Sequence, residues 1–228
     1  NYNYEIISIN SLTNILNSLK KNRIEKIIMS GRVKRPSIKD INFDFNALKL
    51  IKNFALDSKG DDKLLSTISI FFENNGFPIL DWKDQCKDLF INKKCLTIKK
   101  PTKDSISNRD KGLDIFKFIG KTDIAQSLII QNNIVLGIEA AEGTDELIKR
   151  CFEYKNRGDK GILIKLSKYN QHSNLDIPVI GIETMKKLKL YDYDGVFLEK
   201  NKCMIIDKDE VIKFSNANDI FIASVDKN

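Results

Sequence analysis

Ile134-Val-Leu-Gly-Ile-Glu-Ala-Ala-Glu-Gly-Thr-Asp-Glu-Leu-Ile-Lys-Arg150 is the stretch on which the reading of this chain turns. Ile134–Ile138 is an apolar run of strand length, and Glu146–Arg150 continues with helix-like composition. Between them stand three carboxylates, Glu139, Glu142 and Asp145, and the hydroxyl of Thr144. Strand-to-helix turns lie on the surface of α/β sheets, at the side where ligands usually bind. A carboxylate at a buried strand end is costly unless it is paired or holds a cation. The stretch therefore predicts a site as well as a turn.

Working outward, Ser127–Ile130 and Ile134–Ile138 flank Asn132-Asn133, which predicts a hairpin. Further strands are expected at 161–165, 178–180, 195–198, 204–206 and 221–223, and helices at 105–120, 145–156, 182–189 and 208–217. Upstream, Tyr4–Ile9 alternates like a short strand. Leu12, Ile15, Leu16 and Leu19 recur at helical spacing, and 26–31 reads as a buried strand. Strand, helix and strand in that order predict a parallel α/β sheet. The cations of Gly31-Arg-Val-Lys-Arg-Pro-Ser37 could grip a phosphate or simply form a basic loop. A helix is expected from Asp61 through Phe72, ended by Gly76, with a strand at 77–80. Asp61 and Asp62 complement the dipole at its start, although capping demands only one of them. Residues 81–104 are lysine-rich and weakly patterned, and a linker is expected there. The reading is an α/β protein with a Rossmann-like N-terminal domain, 1–98, and a catalytic C-terminal α/β domain, 99–228, built on a mixed sheet.

The 228 residues are 42% hydrophobic and 30% charged, ordinary for a globular protein. No apolar run approaches the roughly 20 residues that span a bilayer. The chain opens Asn1-Tyr2-Asn3 without Met, so residues upstream are expected to be missing. Cys86, Cys95, Cys151 and Cys203 form no Cys-x-x-Cys pair and read as buried thiols of a reducing compartment. The net charge of +7 comes from lysines spread along the chain. It fits a solvated surface, and also attraction to phosphates or to an anionic membrane. Helix-turn-helix, RNP-like and zinc-finger patterns are missing, which argues against nucleic acid. The single histidine, His172, excludes a multi-histidine zinc centre. A catalytic metal would be held mainly by oxygen, which favours Mg²⁺ or Mn²⁺.

The second half sets polar residues beside apolar strands: Asp123 and Gln126, then Glu139, Glu142, Thr144 and Asp145, then Lys165, Lys168 and Gln171, and finally Asp176. Acids and lysines in one pocket suit metal-assisted attack on a phosphoanhydride. Each also has a bland reading: first-turn helix acids for Asp145, surface lysines for Lys165 and Lys168, a turn residue for Asp176.

Several blocks, in order, carry a family resemblance. They are Ser30-Gly-Arg-Val-Lys-Arg-Pro36, Lys59-Gly-Asp-Asp-Lys-Leu-Leu65, Phe72-Glu-Asn-Asn-Gly-Phe77, Thr122-Asp-Ile-Ala-Gln-Ser127, Val135–Asp145, Gly161–Lys165, Asn170-Gln171 and Asp176-Ile-Pro-Val-Ile-Gly181. Across essentially its whole length the chain resembles the LpxI family, UDP-2,3-diacylglucosamine pyrophosphatases of lipid A biosynthesis. The resemblance implies two α/β domains joined by a hinge. It implies hydrolysis of UDP-2,3-diacylglucosamine to UMP and 2,3-diacylglucosamine 1-phosphate (lipid X) with Mg²⁺ or a similar ion. Asp176 matches the family's essential aspartate. Asp123, Glu139, Glu142 and Asp145 become candidates for the metal. Asp61, Asp62, Gln126, Thr144, Lys165, Lys168 and Gln171 become candidates for substrate contact. His172 and Asn174 stand where the family usually has an acid and an arginine, and Tyr169 where proline is usual. The expected setting is cytoplasmic, peripheral to the inner membrane, with a homodimer among the open oligomeric states. The competing readings are a non-catalytic lipid- or nucleotide-binding protein of the same fold and a nucleic-acid-binding protein.

Overall fold

The computed structural model describes residues 4–8, 11–30, 61–81, 83–119, 125–167 and 177–227, without the side chains at 61–65 and 84. The chain falls into two compact units, Asn1–Trp82 and Lys83–Asn228.

The first unit holds helix α1 (Leu12–Lys21) and helix α2 (Asp61–Asn74). Leu12 and Leu16, one turn apart on α1, are buried with Phe72 of α2 and Phe77. After α2 the chain turns at Gly76, whose φ of +87° only glycine adopts cheaply, and Phe77 N–H donates to Phe72 O at 2.9 Å. The strand expectations are met in part. Ile27 and Ile79 form a parallel bridge, in which Ile27 N donates to Pro78 O (3.1 Å) and Leu80 N to Ile27 O (2.8 Å). Residues 4–8 are not a strand. Tyr4 and Ile6 are 84% and 93% exposed, so the alternation there buries no face, and β propensity without a face to cover does not make a strand. Among the described residues of this unit that bridge is the extent of pairing, and no Rossmann-like sheet is seen. The basic loop 31–37 lies outside them.

The second unit runs α3 (Lys103–Ile119), β1 (Ser127–Gln131), β2 (Ile134–Ile138), α4 (Thr144–Phe152), β3 (Ile162–Lys165), β4 (Val179–Ile180), α5 (Ile182–Leu190), β5 (Gly195–Glu199), β6 (Met204–Ile205), α6 (Lys208–Ala217) and β7 (Phe221–Val225). Five strands form one sheet in the order β2-β1-β3-β5-β7. β1 is antiparallel to β2 and β3, while β3, β5 and β7 are parallel, so the sheet is mixed as expected. β4 and β6 pair separately and in parallel. The hairpin turns at Asn132 and Asn133 with φ of 51° and 59°, the left-handed pair a tight type I′ turn requires.

Alternation along the strands splits the core. Ile129, Leu163, Val196 and Ile222 face α4, α5 and α6, meeting Leu147, Leu188 and Val211. Leu128, Ile130, Ile164 and Phe197 face the other way, against Phe116 of α3. Each such side chain contributes about 1.5–3 kcal/mol by burial, so both faces of the sheet are stabilised by packed helices. Within 81–104, Phe90 and Ile91 are buried, and Leu96 N donates to Ile222 O at 2.9 Å alongside the outer strand β7.

Register places the functional end. Lys165 lies beside Leu198, Glu199 beside Val225, and Ser127 beside Lys165. The carboxyl ends of β3, β5 and β7, the start of β1 and the residue after β2 therefore share one end of the sheet.

Candidate functional site

At that end the ladder continues one residue past β2, with Glu139 N donating to Ser127 O at 2.9 Å. The chain then turns through Ala140–Glu142 to Gly143, whose φ of +83° excludes most side chains, and enters α4. Among the described residues no side chain caps α4 through a hydrogen bond, and its first N–H groups have no intrahelical partner.

Thr144, the first helical residue, donates its Oγ1 proton to Glu139 Oε1 at 2.9 Å. Lys165 Nζ donates to Thr144 Oγ1 and, at 3.2 Å, to Ser127 Oγ. Its distance to Glu139 Oε2 is 3.7 Å, and the two side chains are only 5% and 13% exposed. Glu139 Oε2 is buried and accepts no hydrogen bond among the described residues. Such an oxygen is costly to leave open. The end of β3 is held from behind by Cys203, whose Sγ donates to Lys165 O at 3.1 Å. Burial pushes that thiol up to about 12, so it stays a neutral donor.

The other two carboxylates of the block point elsewhere. Glu142 Oε1 accepts from Arg150 Nε (2.9 Å) and Nη2 (2.8 Å), and its Oε2 accepts from Ala140 N (3.1 Å). Burial alone would push the Glu142 carboxyl up. Its backbone hydrogen bonds and Arg150 outweigh this and hold it below its ordinary value. Arg150 also donates to Ile138 O at 2.7 Å, tying the turn to α4. Asp145 accepts from Thr184 Oγ1 at 3.1 Å and lies 3.7 Å from Lys187 Nζ. Among the described residues no three His, Cys, Asp or Glu side chains gather as a metal would need.

Of the residues expected from sequence, Glu139, Thr144 and Lys165 are brought together. Glu142 and Asp145 lie nearby with partners of their own. Gln126 gives its carbonyl to Leu166 N at 2.8 Å, which fixes the chain just past β3. Asp61 and Asp62 open α2 in the other unit, and their side chains are outside the description. Asp123, Lys168, Gln171, His172 and Asp176 lie outside the described residues. Sequence reasoning missed Ser127 and Arg150. Ser127 becomes visible only once the β1–β3 register is known. Arg150 stands eight residues after Glu142 and reaches back from α4 to the turn before it, a pairing that no fixed helical spacing signals.

A doubly covered mixed α/β sheet with a desolvated ammonium, a hydroxyl and a buried carboxylate at one end, beside a helix start that no described side chain caps, defines the chain as an α/β protein with a polar site at the carboxyl end of its sheet. Comparison with known proteins makes this specific. The model of the LpxI N-terminal domain matches residues 1–89 and that of the LpxI C-terminal domain matches 92–223. This chain belongs to the LpxI family. It is 26% identical over 227 residues to the UDP-2,3-diacylglucosamine pyrophosphatase LpxI of Caulobacter vibrioides, an alignment covering 96% of this chain and 81% of that protein.

Proposed function

We propose that this chain hydrolyses the pyrophosphate bond of UDP-2,3-diacylglucosamine, releasing UMP and 2,3-diacylglucosamine 1-phosphate in lipid A biosynthesis. Family membership across both domains and the activity named for the Caulobacter relative support the chemistry. The observation that carries it within this chain is the buried Lys165 ammonium, held against Thr144 and Ser127 at the carboxyl end of β3. A cation kept out of water there interacts with a phosphate oxygen far more strongly than a surface lysine can. The N–H groups at the start of α4, which no described side chain caps, add donors on the same side.

In the proposed reaction Asp176 orients a water molecule and accepts its proton. The water oxygen bonds to one phosphorus, and the bridging oxygen leaves with the other phosphate, carrying the electron pair of the broken bond. Lys165 offsets charge on the phosphate oxygens as that bond breaks, while Thr144 and Ser127 fix the direction of its ammonium. A divalent cation, Mg²⁺ or Mn²⁺, suits the open oxygen of Glu139, with Asp123 as a further oxygen ligand, and would draw charge from the phosphates when bound. Glu142 and Asp145 already have protein partners, so their part in the same reading is to hold the turn before α4 and the face of α4 towards α5. Gln126, Lys168, Gln171, Asp61 and Asp62 remain the proposed substrate contacts.

The test is UMP release from UDP-2,3-diacylglucosamine, with Mg²⁺ and with EDTA, by wild type and by Asp176→Ala. Wild type is expected to release UMP only with the metal, and the variant to lose at least about a hundredfold in rate, the scale of a missing acid–base group. A well-folded wild type that binds the lipid and releases no UMP would make the protein a binder rather than a hydrolase.

A further inference from the structure

We propose that the exposed lysines Lys93, Lys94, Lys200 and Lys202, at the carboxyl end of the central sheet, form the face by which this protein sits on an anionic lipid membrane. Three chain segments are stitched together to build it. Asn201 N donates to Ile91 O at 2.8 Å, Ser224 N to Lys94 O at 3.0 Å and Lys200 N to Val225 O at 2.9 Å. Residues far apart in sequence thus present their side chains on one surface. All four lysines are exposed, and their ammonium groups make no hydrogen bond or ion pair with a described residue. Other lysines of this unit are matched, Lys99 with Asp194, Lys160 with Asp192 and Lys186 with Glu183 at 2.7–2.8 Å, while Lys103, Lys111 and Lys213 are exposed and pair with no described residue, so it is the gathering of four on one surface that sets this face apart.

Like charges are crowded enough to be felt. The pKa values of Lys208 and Lys227 are lowered, chiefly by burial. Lys93 pushes the first and Lys202 the second in the same direction, while Asp88 and Asp209 oppose the effect on Lys208 and Glu199 that on Lys227. Asp88, Asp207, Asp209 and Asp226 lie in the same segments, so the face is basic without being uniformly so. Ile206, 47% exposed between Lys202 and Lys208 in the chain, supplies an apolar group at the same margin.

The position decides what such a surface is for. Lys165, Thr144 and Glu139 occupy the same end of the same sheet, so a protein resting on this face holds its candidate site towards the bilayer. A substrate with two acyl chains resides in that bilayer, and this part of the argument rests on the proposed hydrolysis. Flexible ammonium groups on long stems suit a diffuse layer of anionic headgroups, which lysine satisfies as a point charge. Nucleic acid would call for stacking aromatics beside the cations, and the aromatic residue of the first segment, Phe90, is buried.

The experiment is co-sedimentation of the full chain with phosphatidylcholine vesicles, with and without phosphatidylglycerol, across a salt series and in the absence of substrate. Wild type is expected to bind only the anionic vesicles and to be released by salt. The variant K93Q/K94Q/K200Q/K202Q is expected to bind them on the order of a hundredfold more weakly. A control with the same loss of charge on α3 and α5, K103Q/K111Q/K117Q/K186Q, is expected to lose about threefold or less, because charges away from the contact are screened. UMP release from detergent-dispersed substrate by the four-lysine variant is expected to match wild type. Equal binding to neutral vesicles, an equal loss in the control, or binding of duplex DNA in place of vesicles would overturn the docking face. Vesicle binding that depends on these lysines in a protein that releases no UMP would leave the docking face standing and sink the hydrolase reading instead.

Discussion

At the turn end of the central sheet, Asp159 accepts from Asn108 Nδ2 (3.0 Å), Asn132 N (2.8 Å) and Gly161 N (2.7 Å). At the other end of the same strands, Glu139 has a buried oxygen that accepts no hydrogen bond from a described residue. Asp194, also at the turn end, is bound by Lys99 Nζ at 2.7 Å and by the Ser105 hydroxyl. Gln131 joins the network by donating to Asn156 O at 2.9 Å and accepting from Asn156 N at 2.9 Å. Acids, amides and lysines are used at both ends. The turn end closes its polar groups on one another and pins α3, the hairpin and the β3 and β5 entries. The far end gathers an ammonium, two hydroxyls and a carboxylate and leaves capacity unused. Saturated polar networks hold structure, whereas an unsaturated one in a desolvated place is where a ligand can be bound.

The sharpest way to break that contrast is Lys165→Met, which keeps the volume and removes the charge. Its kcat/KM for UMP release is expected to fall by about a hundredfold to a thousandfold, as for loss of a charged donor to a transition state. Unchanged activity in that variant would make Lys165 a structural residue like those at the turn end. Next in size is Asp194→Ala. Removing one partner of a buried pair costs about 3 kcal/mol, which lowers Tm by about 10 °C for a unit of this size. The protein that remains folded should keep its activity, and a loss of kcat at full stability would erase the distinction between the two ends. The smallest effect concerns the ion pair that braces the site from outside. Because the Glu142 pKa lies below its ordinary 4.5, its pairing with Arg150 stabilises the fold above that pH and is lost as pH falls through the lowered value. Denaturation of Glu142→Gln should therefore show a flatter acid limb than wild type, by about 1 kcal/mol or less since the pair is partly exposed. Matching acid limbs would mean that the pair contributes nothing.

Legibility followed burial. The strands at 127–131, 162–165 and 195–199 were readable because each is an apolar run buried throughout, and the half-buried edge strand 134–138 because it is apolar and follows a turn signal. The Asn132-Asn133 turn was readable because its conformation restricts the residues it accepts. The same logic failed at Tyr4–Ser8, where alternation is present and no face is covered. At the site, Glu139 and Thr144 could be singled out from the strand-to-helix transition. Lys165 could be paired with them only provisionally, since nothing local says that residues 21 apart share one hydrogen bond. The separation of Glu139 from Glu142 and Asp145 was invisible to spacing. All three sit in one seven-residue block, yet Glu139 is held by Thr144 and Lys165, Glu142 by Arg150, and Asp145 by Thr184 and Lys187.

By itself the sequence determined the order of helices and strands in the second unit, the hairpin, the mixed α/β class and the block in which the site lies. These follow from periodicity, turn chemistry and the cost of burying a carboxylate, all local properties. Only the tertiary structure decided that Lys165 meets Thr144 and Ser127, that Glu139 alone of its block has a buried oxygen with no hydrogen bond among the described residues, and that the segments carrying Lys93, Lys94, Lys200 and Lys202 are bonded side by side. Each of these depends on strand register and on contacts between distant segments, and a shift of one residue in that register would send Ser127 and Lys165, the strand residues among them, to the opposite face.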